Sequence, residues 1–276
     1  MHQLLRVVPW VAGGTFAGLL LVAGLLHLFP RLGRAGRRVA EACTRAPGLD
    51  WLVVYFTVVP LIVGAIIGGW AGLAGAVIGQ VAAVLVWSRL HELFNRDAAR
   101  GPRIVKSLNR ILGRGRNHAA LWVTAIVTPG FTLVRAAEVF CYPLLHRLVG
   151  LPKYNHAEWV NVSRQKFEGL VGHDLIWCLY CDWMTGVWSL GTEMLRNVES
   201  FWCPIRFYNG KKCENCAIDF PDVNAGWVPA DGTMSEVANT IERMYGDGDR
   251  RWFEKRVQIS VRGRELPVEQ SATSAE

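Results

Sequence analysis

Five of the seven cysteines in this 276-residue chain fall within the 39 residues from Cys178 to Cys216. They form one C-x2-C pair (Cys178, Cys181), a single Cys203, and a second C-x2-C pair (Cys213, Cys216), with 31 residues between Cys181 and Cys213. Two such pairs at this separation have the general layout of a four-thiolate metal site. A dithiol can also exchange with disulfides, and a buried cysteine can be no more than a small hydrophobe. Crowding of this degree argues against packing alone. Cys43 and Cys141 stand apart from the group and read as isolated core thiols.

Local patterning suggests how the sulfurs meet. Cys178 and Cys181 are three apart, which on a helix places them on one face, with Asp174 one turn earlier. Asn209-Gly210 predicts a two-residue type I′ turn, because both central positions of that turn need positive φ. In the resulting β-hairpin Cys203 stands opposite Cys216, with Cβ atoms roughly 4.5–5.5 Å apart. Cys213 joins them only if the strand bulges near Glu214 and Asn215. The expectation is a metal centre held by Cys178, Cys181, Cys203, Cys213 and Cys216, carrying an iron–sulfur cluster or zinc. His173, Asp182, Glu193 and Glu199 are nearby reserves, each equally suited to be a cap or an ion-pair partner.

Two short resemblances bear on the chemistry. Trp177-Cys178 followed by Cys181 resembles the WCxxC of thioredoxin-type enzymes over three residues, which implies thiol–disulfide exchange. Cys203-Pro204 is similar to the Cys-Pro of bacterial ferredoxin ligands, which implies iron–sulfur. The aromatics Trp177, Tyr180, Trp183, Trp188, Phe201 and Trp202 suit an apolar cluster shell, a plain core, or a belt at a membrane interface. No GxSxG, phosphate loop, HExxH or strand-linked GxGxxG is present. The expected function is therefore electron transfer or binding within a membrane-associated complex. A thiol–disulfide or metal-dependent membrane enzyme acting on a small or lipidic substrate is one alternative, and a structural zinc module recruiting a partner is another.

The elements that must position these thiols are tied to a membrane. Residues 1–150 carry 16 Lys and Arg against 5 Asp and Glu, whereas residues 151–276 carry 14 against 18, so the net +7 belongs to the first half. Residues 7–29 contain no charge and match a bilayer core of about 30 Å. Residues 51–87 are also uncharged and too long for one crossing, so they predict a helical hairpin turning near Gly68-Gly69, with legs 51–68 and 71–88. Glycines four apart (14 and 18; 64, 68 and 72; 75 and 79) predict close helix packing, within the chain or in a homo-oligomer. No acidic or basic residue interrupts these spans, which excludes an ion path through them.

Residues 89–150 form a connector. Its basic part, 89–116, predicts an amphipathic helix on anionic headgroups, with Ile104, Leu108, Ile111 and Leu112 facing inward and Arg103, Lys106, Arg110 and Arg114 outward. It lacks any nucleic-acid-binding motif, so no nucleic acid partner is expected. Residues 119–134 are apolar but short, and Arg135 and Glu138 follow, which favours an interfacial or re-entrant segment. The expected architecture is an α-helical transmembrane half over residues 1–88 with three crossings, and a cytoplasmic α+β module over 151–265 containing the β-hairpin. Residues 266–276 read as a loose tail. Basic residues flanking the spans place the module on the cytoplasmic side of a bacterial inner membrane. Within the module, helices are expected over 157–172 and 174–198, a capping box at Thr233 and Glu236 opens a helix ending at Gly246, and Val257–Val261 reads as a strand.

Overall fold

The computed structural model describes residues 2–219, 223, 226–246, 248, 260, 261, 264 and 265, with the side chains of 2–5, 215–219, 260, 261, 264 and 265 outside that description. Three stretches are long and apolar enough to cross a membrane: Arg6–Arg31, Gly48–Phe94 and Arg114–Val149. The chain divides into two compact units, one of residues 1–132 with 155–188, the other of residues 133–154 with 189–276.

In the first unit, helix α1 (His2–Leu28) leads through α2 (Gly33–Ala42) to α3 (Gly48–Thr57) and α4 (Val59–Phe94). Helix α4 is broken at Gly68 and Gly69, where Gly69 takes φ +53°, and its two legs fold back on each other. Glycine is required there because a side chain clashes with its own backbone in the left-handed region. The legs meet at Gly64 and Gly72, where any Cβ on Gly72 would strike the Gly64 carbonyl. Gln80 Nε2 donates to the carbonyls of Phe56 and Thr57 at 2.8 and 2.9 Å, satisfying groups that lipid cannot.

Helix α1 packs on the second leg, with Gly75 against Val8 and Gly79 against Ala12 and Thr15. Tyr55 OH donates to the Gly18 carbonyl at 3.1 Å. The four-residue glycine spacing is thus used inside this chain, except at Gly14, which has nothing within 4 Å of an added Cβ. Trp10, Trp51 and Trp70 are largely exposed, as suits residues that anchor at headgroup level.

After α4 come α5 (Arg96–Arg100), α6 (Ile104–Leu112), α7 (Arg114–Ala125) and α8 (Thr128–Ala136). Helix α6 contains the expected apolar positions Ile104, Leu108, Ile111 and Leu112 and ends at Gly113 with φ +83°, but Arg103 is buried rather than outward. The segment expected to be short and interfacial continues through a π-helical turn, Ala137–Cys141, into α9 (Tyr142–Val149), so the whole of Arg114–Val149 has spanning length. Arg135 and Glu138, which argued against burial, are both buried and pair at 2.6 Å.

The C-terminal module departs from the α+β expectation. Only the short α10 (His156–Trp159) and a 3-10 turn (Arg164–Lys166) occupy the region expected to be the helix 157–172. The reason is pairing: Ala46 N donates to the Val160 carbonyl at 2.9 Å and Val162 N to the Thr44 carbonyl at 2.8 Å, which holds 160–162 extended. The second expected helix is α11 (Gly172–Trp202), one continuous element of 31 residues.

No β-hairpin forms over 203–216. Residues Gly210–Asp219 are helix α12, opened by Asn209, whose side-chain oxygen accepts from Lys211 N at 3.0 Å and Lys212 N at 3.4 Å. Asparagine is among the best N-cap residues, so Asn-Gly serves here as a helix start. The stretch expected as the first strand pairs elsewhere: Val228 N donates to the Pro204 carbonyl and Arg206 N to the Val228 carbonyl, both at 2.8 Å. Helix α13 (Met234–Tyr245) begins at the expected Thr233–Glu236 capping box and its last backbone bond closes on Gly246. Val223 and Trp227 form a small core with Phe207, Met244 and Tyr245. Val257, Ile259 and the tail 266–276 lie outside the described residues.

Candidate functional site

Helix α11 carries the first thiol pair and is aligned by aromatic contacts with α7 and α8. Trp122 meets Trp177 edge-on at 5.6 Å between ring centroids, and Phe131 meets Trp183 at 6.4 Å and Trp188 at 5.9 Å. Between them, Tyr180 OH donates to the Thr124 carbonyl at 3.0 Å and lies 2.9 Å from Thr128 Oγ1. Contacts advance along both helices in the same direction, so the pair runs parallel. The aromatics read from the sequence as shell, core or belt are therefore largely this zipper.

An ion network sequence reading did not find fixes the start of α11. Arg103, with a side chain 3% exposed, donates through Nε to Asp174 Oδ2 at 2.8 Å and through Nη2 to Glu92 Oε1 at 2.9 Å. Asp174 also accepts from Ile104 N and Val105 N, both at 3.1 Å, and so caps α6. Glu92, at the end of the anchor helix, accepts from His173 N at 3.4 Å in the first turn of α11. Gly172 N donates to His91 Nδ1 at 3.1 Å. Each carboxylate thus closes a helix N-terminus, where backbone N–H groups lack partners, and one guanidinium joins both. Burial pushes the Asp174 carboxyl up, but contacts from His173, Arg103 and the Val105 N–H outweigh it and hold it below the ordinary value.

Beside this lock is a cavity of about 50 Å³, lined by Ile104, Leu108, Asn117, His173, Trp177 and Cys178 among others. Within it Trp177 Nε1 donates to His173 Nε2 at 3.1 Å, and His173 Nδ1 lies 3.7 Å from Asp174 Oδ1. That bond assigns the neutral imidazole proton to Nδ1, facing the carboxylate.

Cys178 and Cys181 are free thiols of intermediate exposure, three residues apart on α11. Burial raises the Cys178 thiol above its usual range, against the opposing pull of Arg164. The Arg164 charge acts on both sulfurs, and its Nε lies 3.8 Å from Asp182 Oδ1. Asp182 meanwhile accepts from Ser163 N at 2.7 Å and Arg164 N at 3.3 Å, which holds the 3-10 turn carrying Arg164 against the helix. A cation and two thiols on one helix face are therefore built together in the first unit.

The other expected ligands lie in the second unit. Cys203 follows the end of α11 and is exposed. Cys213 is buried in α12 and its Sγ donates to the Phe207 carbonyl at 3.2 Å. Cys216 is three residues further along α12, with its side chain outside the described residues. Because 210–216 is helical, the opposition of Cys203 and Cys216 drawn from a hairpin does not occur. Among the described residues no three of His, Cys, Asp and Glu gather as a metal-binding group. The reserves are otherwise engaged: Glu199 pairs with Arg196, Asp182 caps, and His173 holds Trp177. Comparison with family models, curated proteins and solved structures gives no match, so the chain's activity must be argued from this geometry.

Proposed function

We propose that this integral membrane protein works through the Cys178–Cys181 dithiol, moving two electrons by thiol–disulfide exchange with a small or membrane-borne disulfide. The observation that carries the reading is the pair itself, two free thiols three residues apart on one face of α11, beside the turn that Asp182 holds with Arg164 on it. A positive charge next to a thiol favours the thiolate, which is the nucleophile. Cys181 attacks the substrate disulfide as its thiolate, forms a mixed disulfide and releases one substrate thiol. Cys178 then gives up its proton and attacks Cys181 Sγ, which releases the second substrate thiol. Two thiols become one disulfide while one substrate disulfide becomes two thiols. Helical geometry puts Cα atoms three apart at roughly 5 Å, within the span a disulfide bridges.

A thiolate metal centre, iron–sulfur or zinc, held by Cys178, Cys181, Cys203, Cys213 and Cys216 is the second reading. It is favoured by the repeat of the C-x2-C spacing on a second helix, α12. In either case the basic flanks of the anchor favour the cytoplasmic side of a bacterial inner membrane for residues 89–116, which suit anionic headgroups.

The test uses the purified full-length protein in detergent. Oxidised glutathione in excess is expected to convert Cys178 and Cys181 into one internal disulfide, read by mass spectrometry and reversed by dithiothreitol. Arg164→Met is expected to slow the reaction about threefold, since loss of the neighbouring charge lowers the thiolate fraction while leaving the remaining thiolate more nucleophilic. Persistence of both thiols in reduced form under excess disulfide would overturn the exchange reading. One equivalent of metal per chain, lost on Cys178→Ser and on Cys213→Ser alike, would establish the second reading instead.

A further inference from the structure

Outside the dithiol site, the second unit buries a polar cluster that the proposed chemistry does not use. Glu193 on α11 is nine-tenths buried, and no cation pairs with it among the described residues. Tyr154 OH donates to Glu193 Oε1 at 3.3 Å. Asn197, one turn on, donates through Nδ2 both to Tyr154 OH and to the Glu193 carbonyl, the latter at 3.1 Å. The Tyr142 ring lies tilted against the Tyr154 ring at 5.9 Å between centroids, so a second phenol backs the one that meets the carboxyl.

The charged groups around it are committed to one another. Arg135 holds Glu138, whose Oε1 lies against Gly191, and Arg196 on the next turn of α11 holds Glu199. The carboxyl thus has a hydrogen-bond donor and a buried setting but no countercharge. An ionised carboxylate in such surroundings is costly, and taking up a proton removes the cost.

We propose that the Glu193–Tyr154–Asn197 cluster is a proton-binding site, with Glu193 the group that takes up and releases the proton. Burial pushes the Glu193 carboxyl up to about 7, partly opposed by the Tyr154 hydrogen bond, which favours the ionised form. Below that pH Glu193 is neutral; above it the carboxylate is stabilised chiefly by Tyr154, which Asn197 orients. The position of the loop ending at Tyr154 is thereby coupled to pH, because the Tyr154 bond strengthens when its acceptor ionises.

The experiment is infrared difference spectroscopy on the full-length protein in lipid nanodiscs, stepped from pH 5 to pH 9. A protonated-carboxyl band is expected to disappear with a midpoint near 7 and to be missing from Glu193→Gln. Tyr154→Phe, which removes the bond favouring the ionised form, is expected to move the midpoint upward. This second variant keeps the proposal testable if Glu193→Gln fails to fold. Absence of any carboxyl titrating between pH 6 and pH 8 overturns the site, and so does a midpoint unmoved by Tyr154→Phe.

Discussion

Arg103→Met is expected to destabilise the protein by about 3–5 kcal/mol, the range found when one member of a buried ion pair is removed and the other stays. The replaced guanidinium is almost wholly buried and serves two carboxylates, Asp174 and Glu92, which would then face each other's field without a cation. Chemical denaturation of the purified protein in detergent, followed by tryptophan fluorescence, measures the loss. Asp174→Asn in the same chain should recover part of it, because the amide removes one stranded charge while the backbone N–H groups of Ile104 and Val105 still have an acceptor. A loss below about 1 kcal/mol would show that this network does not hold α6 and α11 to the anchor. Acid should weaken the same contacts. Asp174 is held below its unfolded value of 3.8, so its contribution is present above that pH and is lost as the pH falls through the lower folded value.

Gly72→Val should be nearly as damaging, costing about 3 kcal/mol or more, the upper part of the range for overpacking. At this point the obstacle is the Gly64 carbonyl, which is backbone and cannot rotate aside. The hairpin legs would have to separate, with loss of the contact that substitutes in lipid for a hydrophobic drive. Gly14→Ala supplies the control, since nothing lies within 4 Å of its added Cβ. It is expected to be neutral or slightly stabilising, because alanine is the better helix former. Resistance to unfolding by dodecyl sulfate separates the two variants. Equal behaviour would mean that Gly64 and Gly72 do not meet.

Much of the anchor was legible because each signal is local. An uncharged run declares its length, and Gly68-Gly69 declares where a chain too long for one crossing must reverse. The Thr233–Glu236 box likewise names its own helix start. The site was legible only at Cys178 and Cys181, whose spacing is a property of one helix. Asn209-Gly210 misled because the same two residues suit a hairpin turn and a helix cap. The outcome depended on Val228, which takes the backbone partners of Pro204 and Arg206 and leaves no strand for 211–216 to join. Arg103 misled for a similar reason: on a helical wheel it belongs with Lys106 and Arg110, and only Asp174, 71 residues away, draws it inside.

The sequence by itself determined that this chain is a membrane protein, where its apolar hairpin turns, and that Cys178 and Cys181 share one helix face. These depend on hydropathy, backbone freedom and periodicity, which act over a few residues. Tertiary structure alone decided which charges are buried, that Arg164 lies beside the first dithiol, and that Glu193 is enclosed by Tyr154 and Asn197. Such choices are settled by which distant groups can satisfy one another once water is excluded, and no short stretch of chain contains that information.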